Sequence, residues 1–316
     1  MGLLLVLLAA FFFCFQNVIV RVLFSAHPVF GVFQTGGFVE PTLPNSFLLL
    51  ALRTVLVVPL LALLAPAIYP NTWKDIHQLG TAGRRKDLGL AIAGGLLMFL
   101  YLALLYLAIG LIPTGIALTL FFSYPVFTAL FSWQIFGSRP SPFLWLIMGL
   151  IFVGSTLTVP QTAFSLGHNS ALGVALALAS GVVYALYSVN AQKSFASIHP
   201  VPFTWMSFAI TLVLSILSLL FWHGDLQGLP WTPLWIGSLL SGLVTLAGHL
   251  LNNIGIGIIG ATPAAMIAST NPALTVVLAW MAIQETLNSR QILGVLIVTL
   301  SVALLSRDRT LSQTKT

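Results

Sequence analysis

The stretch Gly110–Phe136, GLIPTGIALTLFFSYPVFTALFSWQIF, returns in altered form as Gly257–Ile283, GIIGATPAAMIASTNPALTVVLAWMAI. A shift of 147 positions lays Gly110 on Gly257, Ile112 on Ile259, Ala117 on Ala264, Pro125 on Pro272, Thr128 on Thr275 and Trp133 on Trp280. Each copy is an apolar run of membrane-spanning length with a proline near its middle. A polar pair precedes each proline, Ser123-Tyr124 in one and Thr270-Asn271 in the other. Proline removes a backbone donor and obstructs the carbonyl one turn back, so both helices should bend or loosen there. In lipid such a break is tolerated where neighbouring helices, hydroxyls or water satisfy the freed groups. Paired interruptions at matching points of two halves are the sequence pointer to a transport site.

Composition decides the solvent. Of 316 residues, 58% are hydrophobic and 6% charged, and mean hydropathy is +1.04. A soluble domain carries about a quarter charged residues, so the expected class is an all-α integral membrane protein. The one cysteine, Cys14, lies in an apolar run, which excludes a disulfide framework and a Cys/His metal cluster. No metal or cofactor is expected. The net charge of +6 sits where a membrane protein places it, so nucleic acid is not an expected partner. The lipid bilayer and a small-molecule substrate are; a homodimer is left open.

Runs long enough for the hydrocarbon core, about 20 residues each, fall near 2–24, 47–69, 88–108, 112–136, 142–160, 170–191, 202–222, 232–253, 262–283 and 290–306. The first lacks a basic flank and exceeds the roughly 7–15-residue core of a signal peptide. It is expected to be a retained span, with the natural start left open upstream. With both termini cytoplasmic, ten spans put Lys74, Arg84, Arg85, Lys86, Arg139, Lys193, Arg307, Arg309 and Lys315 inside and only Arg290 outside, the asymmetry of the positive-inside rule. The chain then divides into five-span halves, 1–160 and 168–306, with a tail at 307–316. An odd number of spans per half turns the second half upside down, giving two inverted-topology repeats around a central cavity. Such repeats characterise carriers, because exchanging the conformations of two similar halves alternates access. The expected location is the cell membrane.

Candidate site residues are polar groups that spans hold without water. Asn271, just before Pro272, is the foremost substrate-binding candidate; the competing reading is that its amide patches the bond the proline breaks. Tyr124 is its counterpart. Asn271→Ala is expected to weaken transport without lowering folded yield. Asn17 shares a helix face with Arg21. His249, Asn252 and Asn253 fall at i, i+3 and i+4, and an amide-rich face must point inward. Arg21 and Arg53 lie roughly 5 and 9 Å from the outer ends of their helices at 1.5 Å per residue. Both are expected to snorkel or pair with Glu40, Arg53 being the better functional candidate. Tyr101, Tyr184 and Tyr187 suit a cavity for organic solutes and a membrane interface equally well, and Tyr106 and Trp205, near span ends, read as interfacial belt. Glu285 is expected to cap the next helix rather than act chemically. Ser25 to Ser46, rich in Gly and Pro, reads as an inert surface loop in preference to a lid.

Glu285-x-Leu287 followed by Gln291 and Gly294, after the span with Asn271-Pro272, resembles the EamA-type families of the drug/metabolite transporter superfamily. So do Arg53-Thr54, the Tyr124-Pro125 helix and the Asn17 to Arg21 region. The resemblance covers nearly the whole chain in two copies and implies ten spans, cytoplasmic termini and a cavity between the halves. Export of an amino acid, drug-like or related metabolite is what the resemblance implies. Two departures stand out: Ser138 occupies the position matching Glu285, and the segment after the first span is longer than the family's brief hairpin. A lipid-modifying enzyme would need clustered acids, and Glu40, Asp75, Asp87, Asp225, Glu285 and Asp308 are scattered. A non-transporting scaffold or sensor has no need of two matched broken helices.

Overall fold

A computed structural model describes all residues except 41, 113, 138, 158–169, 222–227, 285–287 and 314–316. Its helices are α1 (Gly2–Phe24), α2 (Leu43–Ile68), α3 (Thr72–Leu79), α4 (Arg85–Leu111), α5 (Thr114–Phe121), α6 (Tyr124–Phe136), α7 (Pro142–Leu157), α8 (Ser170–Ser194), α9 (Pro200–Phe221), α10 (Trp231–Ile259), α11 (Ala261–Ala268), α12 (Asn271–Ile283) and α13 (Ser289–Gln313). Helix is the form these apolar runs must take in lipid, because it satisfies every backbone group within the segment. Among the described residues eight helices are long and apolar enough to cross a membrane, counting α5–α6 and α11–α12 as single bent spans. The apolar parts of α7 and α13 are shorter. At 16 residues, α7 is about 24 Å long, under the roughly 30 Å of a hydrocarbon core. The protein is a multi-pass, α-helical membrane protein.

The bent spans break where the sequence places them. Phe122-Ser123 and Ser269-Thr270 interrupt the helices, and α6 and α12 restart at Tyr124 and Asn271 with Pro125 and Pro272 in their first turns. Both end on a left-handed cap, Gly137 at φ 72° and Gln284 at φ 52°. Every one of these points is displaced by the same 147 positions as the sequence match. The carbonyls near the breaks are satisfied by hydroxyls: Ser123 Oγ donates to Leu120 O (2.7 Å), Ser269 Oγ to Ala265 O (2.8 Å) and Thr270 Oγ1 to Ile267 O (2.8 Å).

Packing also comes in matched couples. α4 lies along α8 as α1 lies along α10; α9 meets α4 as α2 meets α10; α6 meets α8 as α12 meets α1. α7 packs on α13, α2 on α9 and α6 on α11. Small residues set the closeness of the longest contacts. A Cβ on Gly248 of α10 would stand 2.7 Å from the Phe13 ring on α1.

One element corrects the all-helical expectation. Within the segment read as an inert loop, β1 (Ala26–Val29) pairs antiparallel with β2 (Phe33–Gly36). The turn between them has positive φ at Phe30 (49°) and Gly31 (69°), the backbone of a tight hairpin turn. The hairpin is docked rather than free, since Phe30 N–H donates to Ala282 O at the end of α12 (2.7 Å). We refer to this side as the hairpin end.

The opposite end carries the polar segment after α2. Tyr69 stacks flat on His199 (3.9 Å, 7°) and donates to Asp75 (2.9 Å), a carboxylate acceptor that pushes the phenol's pKa up. Arg84 pairs with Asp87 (2.9 Å) and donates to Ser197 O (2.6 Å), while Ser197 Oγ donates to Asp87 (2.7 Å).

Candidate functional site

α10 is built inside out. Its apolar Leu239, Leu240 and Leu243 are exposed, whereas Ser238, Ser241, Thr245, His249, Asn252 and Asn253 are buried. Spacings of three and four residues put these groups on one stripe. In lipid an inward polar stripe is the stable arrangement, because acyl chains offer no partner for it.

Facing the stripe is a cluster of rings from α4, α5, α6 and α8. Tyr184 lies 4.6 Å from Tyr124 and 4.9 Å from Tyr101, both edge-on, and 5.4 Å from Phe121. Tyr187 lies 6.0 Å from Tyr184 and 6.2 Å from Tyr101. Tyr101 Oη and His249 Nε2 are 3.4 Å apart. Asn253 Nδ2 donates to Tyr187 Oη (3.0 Å) and to Thr204 Oγ1 (2.8 Å). Tyr124 Oη donates to Ala265 O across the meeting of the two bent spans (3.3 Å). The structure thus gathers Tyr101, Tyr124, Tyr184, Tyr187, His249 and Asn253 from sites spread over 150 residues of chain.

Asn271 and Asn17 are brought together elsewhere, at the seam between α1 and α12. Asn17 Nδ2 donates to Asn271 Oδ1 (2.8 Å) and to Thr275 Oγ1 (3.1 Å), and Asn271 Nδ2 donates to Ala10 O (3.0 Å). The Asn271 amide therefore ties one helix to another and does not reach back to its own break. Pro125 and Pro272 sit in the first turns of the restarted helices. Glu285 and Ser138 lie outside the described residues.

Arg53 departs furthest from expectation. It neither snorkels nor meets Glu40: its residue is 4% exposed, and among the described residues its hydrogen bond is a 3.4 Å contact from Nη2 to Tyr106 Oη. Among the described residues, Arg53 Nε, Ser238 Oγ, Thr245 Oγ1 and His249 Nδ1 are buried without partners. A cleft of about 10 Å³ opens between the ends of α1, α2 and α10 at the hairpin end, lined in part by Arg53, Tyr106, Ser238 and Ser241. That is room for about one water molecule. Tyr106 is accordingly a cleft residue and not interfacial belt. Trp205 also bonds inward, donating to Val58 O (3.2 Å). Sequence reasoning missed Ser238 and Thr245, although extending the His249 face back by four and eleven positions points to both.

Residues 171–307 match the family described as the EamA-like transporter family. The chain is 56% identical over 309 residues to the uncharacterized transporter sll1319 of Synechocystis sp., covering 98% of this chain and 94% of that protein. It is 29% identical to the uncharacterized transporter YvbV of Bacillus subtilis, covering 66% and 68%. It is 28% identical to the threonine/homoserine exporter RhtA of Escherichia coli (strain K12), covering 60% and 62%. A crystal structure of a protein 18% identical shares the fold, with a TM-score of 0.73 and 96% of each chain covered.

Proposed function

The chain belongs to the EamA-like transporter family of the drug/metabolite transporter superfamily, and from that premise we propose that it is a carrier moving a small organic metabolite across the cell membrane by alternating access. The observation that carries this reading is the meeting of the two bent spans beside a buried polar and aromatic belt, with Tyr124 Oη on Ala265 O. The matched couples of helix packing support two five-helix halves, 1–160 and 168–306, in opposite orientation around that belt. The polar latch at one end and the docked hairpin at the other each join the two halves, so opening either side means parting one set of contacts while the other holds. Orientation follows the charge count: the Arg84 end and both termini face the cytoplasm and the hairpin faces outward. The name of RhtA supports export, and amino acids or kindred solutes as the first class to try.

Tyr101, Tyr124, Tyr184, Tyr187, His249, Asn253 and Arg53 form the substrate region in this reading, and the Asn17–Asn271 pair braces it. Tyrosines suit the task because each offers a large apolar ring and one hydroxyl. The test is flux in proteoliposomes, beginning with labelled threonine and extending to a metabolite panel. Saturable, competable counterflow that Tyr184→Ala reduces at least tenfold supports the carrier. Flux that is absent or linear for every solute removes it.

A further inference from the structure

Arg53 presents a physical problem that the fold alone does not solve. Its guanidinium carries a positive charge, yet the residue is 4% exposed. A buried charge without a counter-ion is strongly disfavoured. Among the described residues no carboxylate pairs with it. Glu40 is exposed on the surface, and Asp75 and Asp87 are engaged at the far end of the bundle. The neutral Tyr106 hydroxyl at 3.4 Å supplies no charge, and Nε has no partner among the described residues.

Further unmatched polar groups follow along α10. Ser238 Oγ, Thr245 Oγ1 and His249 Nδ1 are also buried and unpartnered. Gly242 lies against Arg53, a Cβ there standing 3.4 Å from Arg53 O. His249 is seven residues deeper, about 10 Å along the helix. Native proteins leave few buried polar groups unmatched, and each one needs a reason. Arg53 and three groups on the inward face of α10, the nearest of them beside a cleft that reaches the hairpin end, share a single reason if a ligand completes them.

We propose that the cleft beside Arg53, which in this structure has room for about one water, widens into an anion subsite in which Arg53 takes the carboxylate of the transported solute, with Tyr106 and the hydroxyl of Ser238 completing its hydrogen bonds. The proposal rests on the carrier reading and names its substrate class: small carboxylates, the remainder of the solute pointing toward His249 and the tyrosines. One guanidinium balances one negative charge and matches the two oxygens of a carboxylate in fork geometry. A phosphate dianion would leave a charge over.

The experiment measures thermal unfolding of the purified full-length protein in detergent. Acetate, propionate and lactate are each compared with acetamide, propionamide and lactamide at one ionic strength set with chloride. Inorganic phosphate forms a further arm. The expected result is a rise of about 2–4 °C with at least one carboxylate and none with its amide, lost in Arg53→Met. Arg53→Met on its own should hold or raise the midpoint, since an apolar chain replaces an unpaired buried charge. Equal shifts for acid and amide, a shift that survives Arg53→Met, a shift with phosphate alone, or no shift with any carboxylate would each overturn the proposal. If Arg53→Met fails to fold, Arg53→Gln takes its place, and the acid–amide comparison on the unaltered protein decides without a variant. The carrier reading fails separately, as absence of saturable flux for every solute.

Discussion

Asn17 Nδ2 donates to Asn271 Oδ1 across 2.8 Å, joining the first helix to the helix that restarts after the second break. Asn271 also holds Ala10 O at 3.0 Å, so its amide is committed on both sides. The expectation that Asn271→Ala weakens flux while leaving folded yield intact therefore gives way to another. The substitution should destabilise the protein by about 1–2 kcal/mol, the upper range for hydrogen bonds between membrane helices. Denaturation in detergent measures it, and a cycle with Asn17→Ala should return a coupling of at least about 0.5 kcal/mol. Additive single effects would show that the pair carries no energy of its own.

The hairpin turn places Phe30 at φ 49°, a left-handed backbone that favours Gly, Asn or Asp. Its ring is largely exposed, so little packing offsets the strain. Phe30→Asn should raise stability by about 0.5–1 kcal/mol while keeping the backbone bond to Ala282 O. A fall in the unfolding midpoint would mean that the ring makes a contact the isolated chain does not show, with lipid foremost.

His199 gives the far end a pH dependence. Burial is the first cause lowering its pKa below the ordinary value near 6.5, with Asp75 acting weakly in the opposite sense. A histidine of depressed pKa binds fewer protons folded than unfolded, so its contribution is complete above about pH 6.5 and declines as pH falls below it. Wild-type unfolding midpoints should drop between pH 7.5 and 5.5 by more than those of His199→Phe, which keeps a ring to stack on Tyr69. Parallel curves for the two proteins would remove His199 from the latch.

The membrane-spanning helical class was legible because apolar length is a property of local sequence, and the 147-residue offset carried over to each break, restart and cap, whereas boundaries were not: α10 runs on to Ile259, six residues past the expected end. The inward burial of the amides on α10 was legible, since such groups in a lipid-spanning run must turn inward, whereas the tyrosines suited cavity and interface alike. What escaped was pairing. Tyr106 read as belt because depth along a helix says nothing about which neighbour it faces, and Arg53 supplied that neighbour. The partners of Asn271 were out of sight because α1, which takes its amide, lies more than 250 positions away. The hairpin read as loop because four-residue strands have no periodicity to detect; its anchor on Ala282 is tertiary.

Gly181 on α8 meets the first break directly. A Cβ placed on it would lie 2.8 Å from Phe121 O and 3.4 Å from Ser123 Oγ. Pro125 lacks the N–H that would hold Phe121 O in a continuous helix, so that carbonyl turns toward α8 and needs the space glycine leaves. The obstruction is backbone, which cannot swing aside as a long side chain does. Gly181→Ala should thus push α5 and α6 off α8, displacing Tyr124 from its 4.6 Å contact with Tyr184. The expected loss is about 1–3 kcal/mol of stability, as for an overpacked core, together with a marked fall in flux in proteoliposomes. Gly89, whose added Cβ would meet nothing within 4 Å, is the matched control: Gly89→Ala should leave both readouts unchanged. Equal behaviour of the two variants would mean that the break does not depend on the closeness of α8.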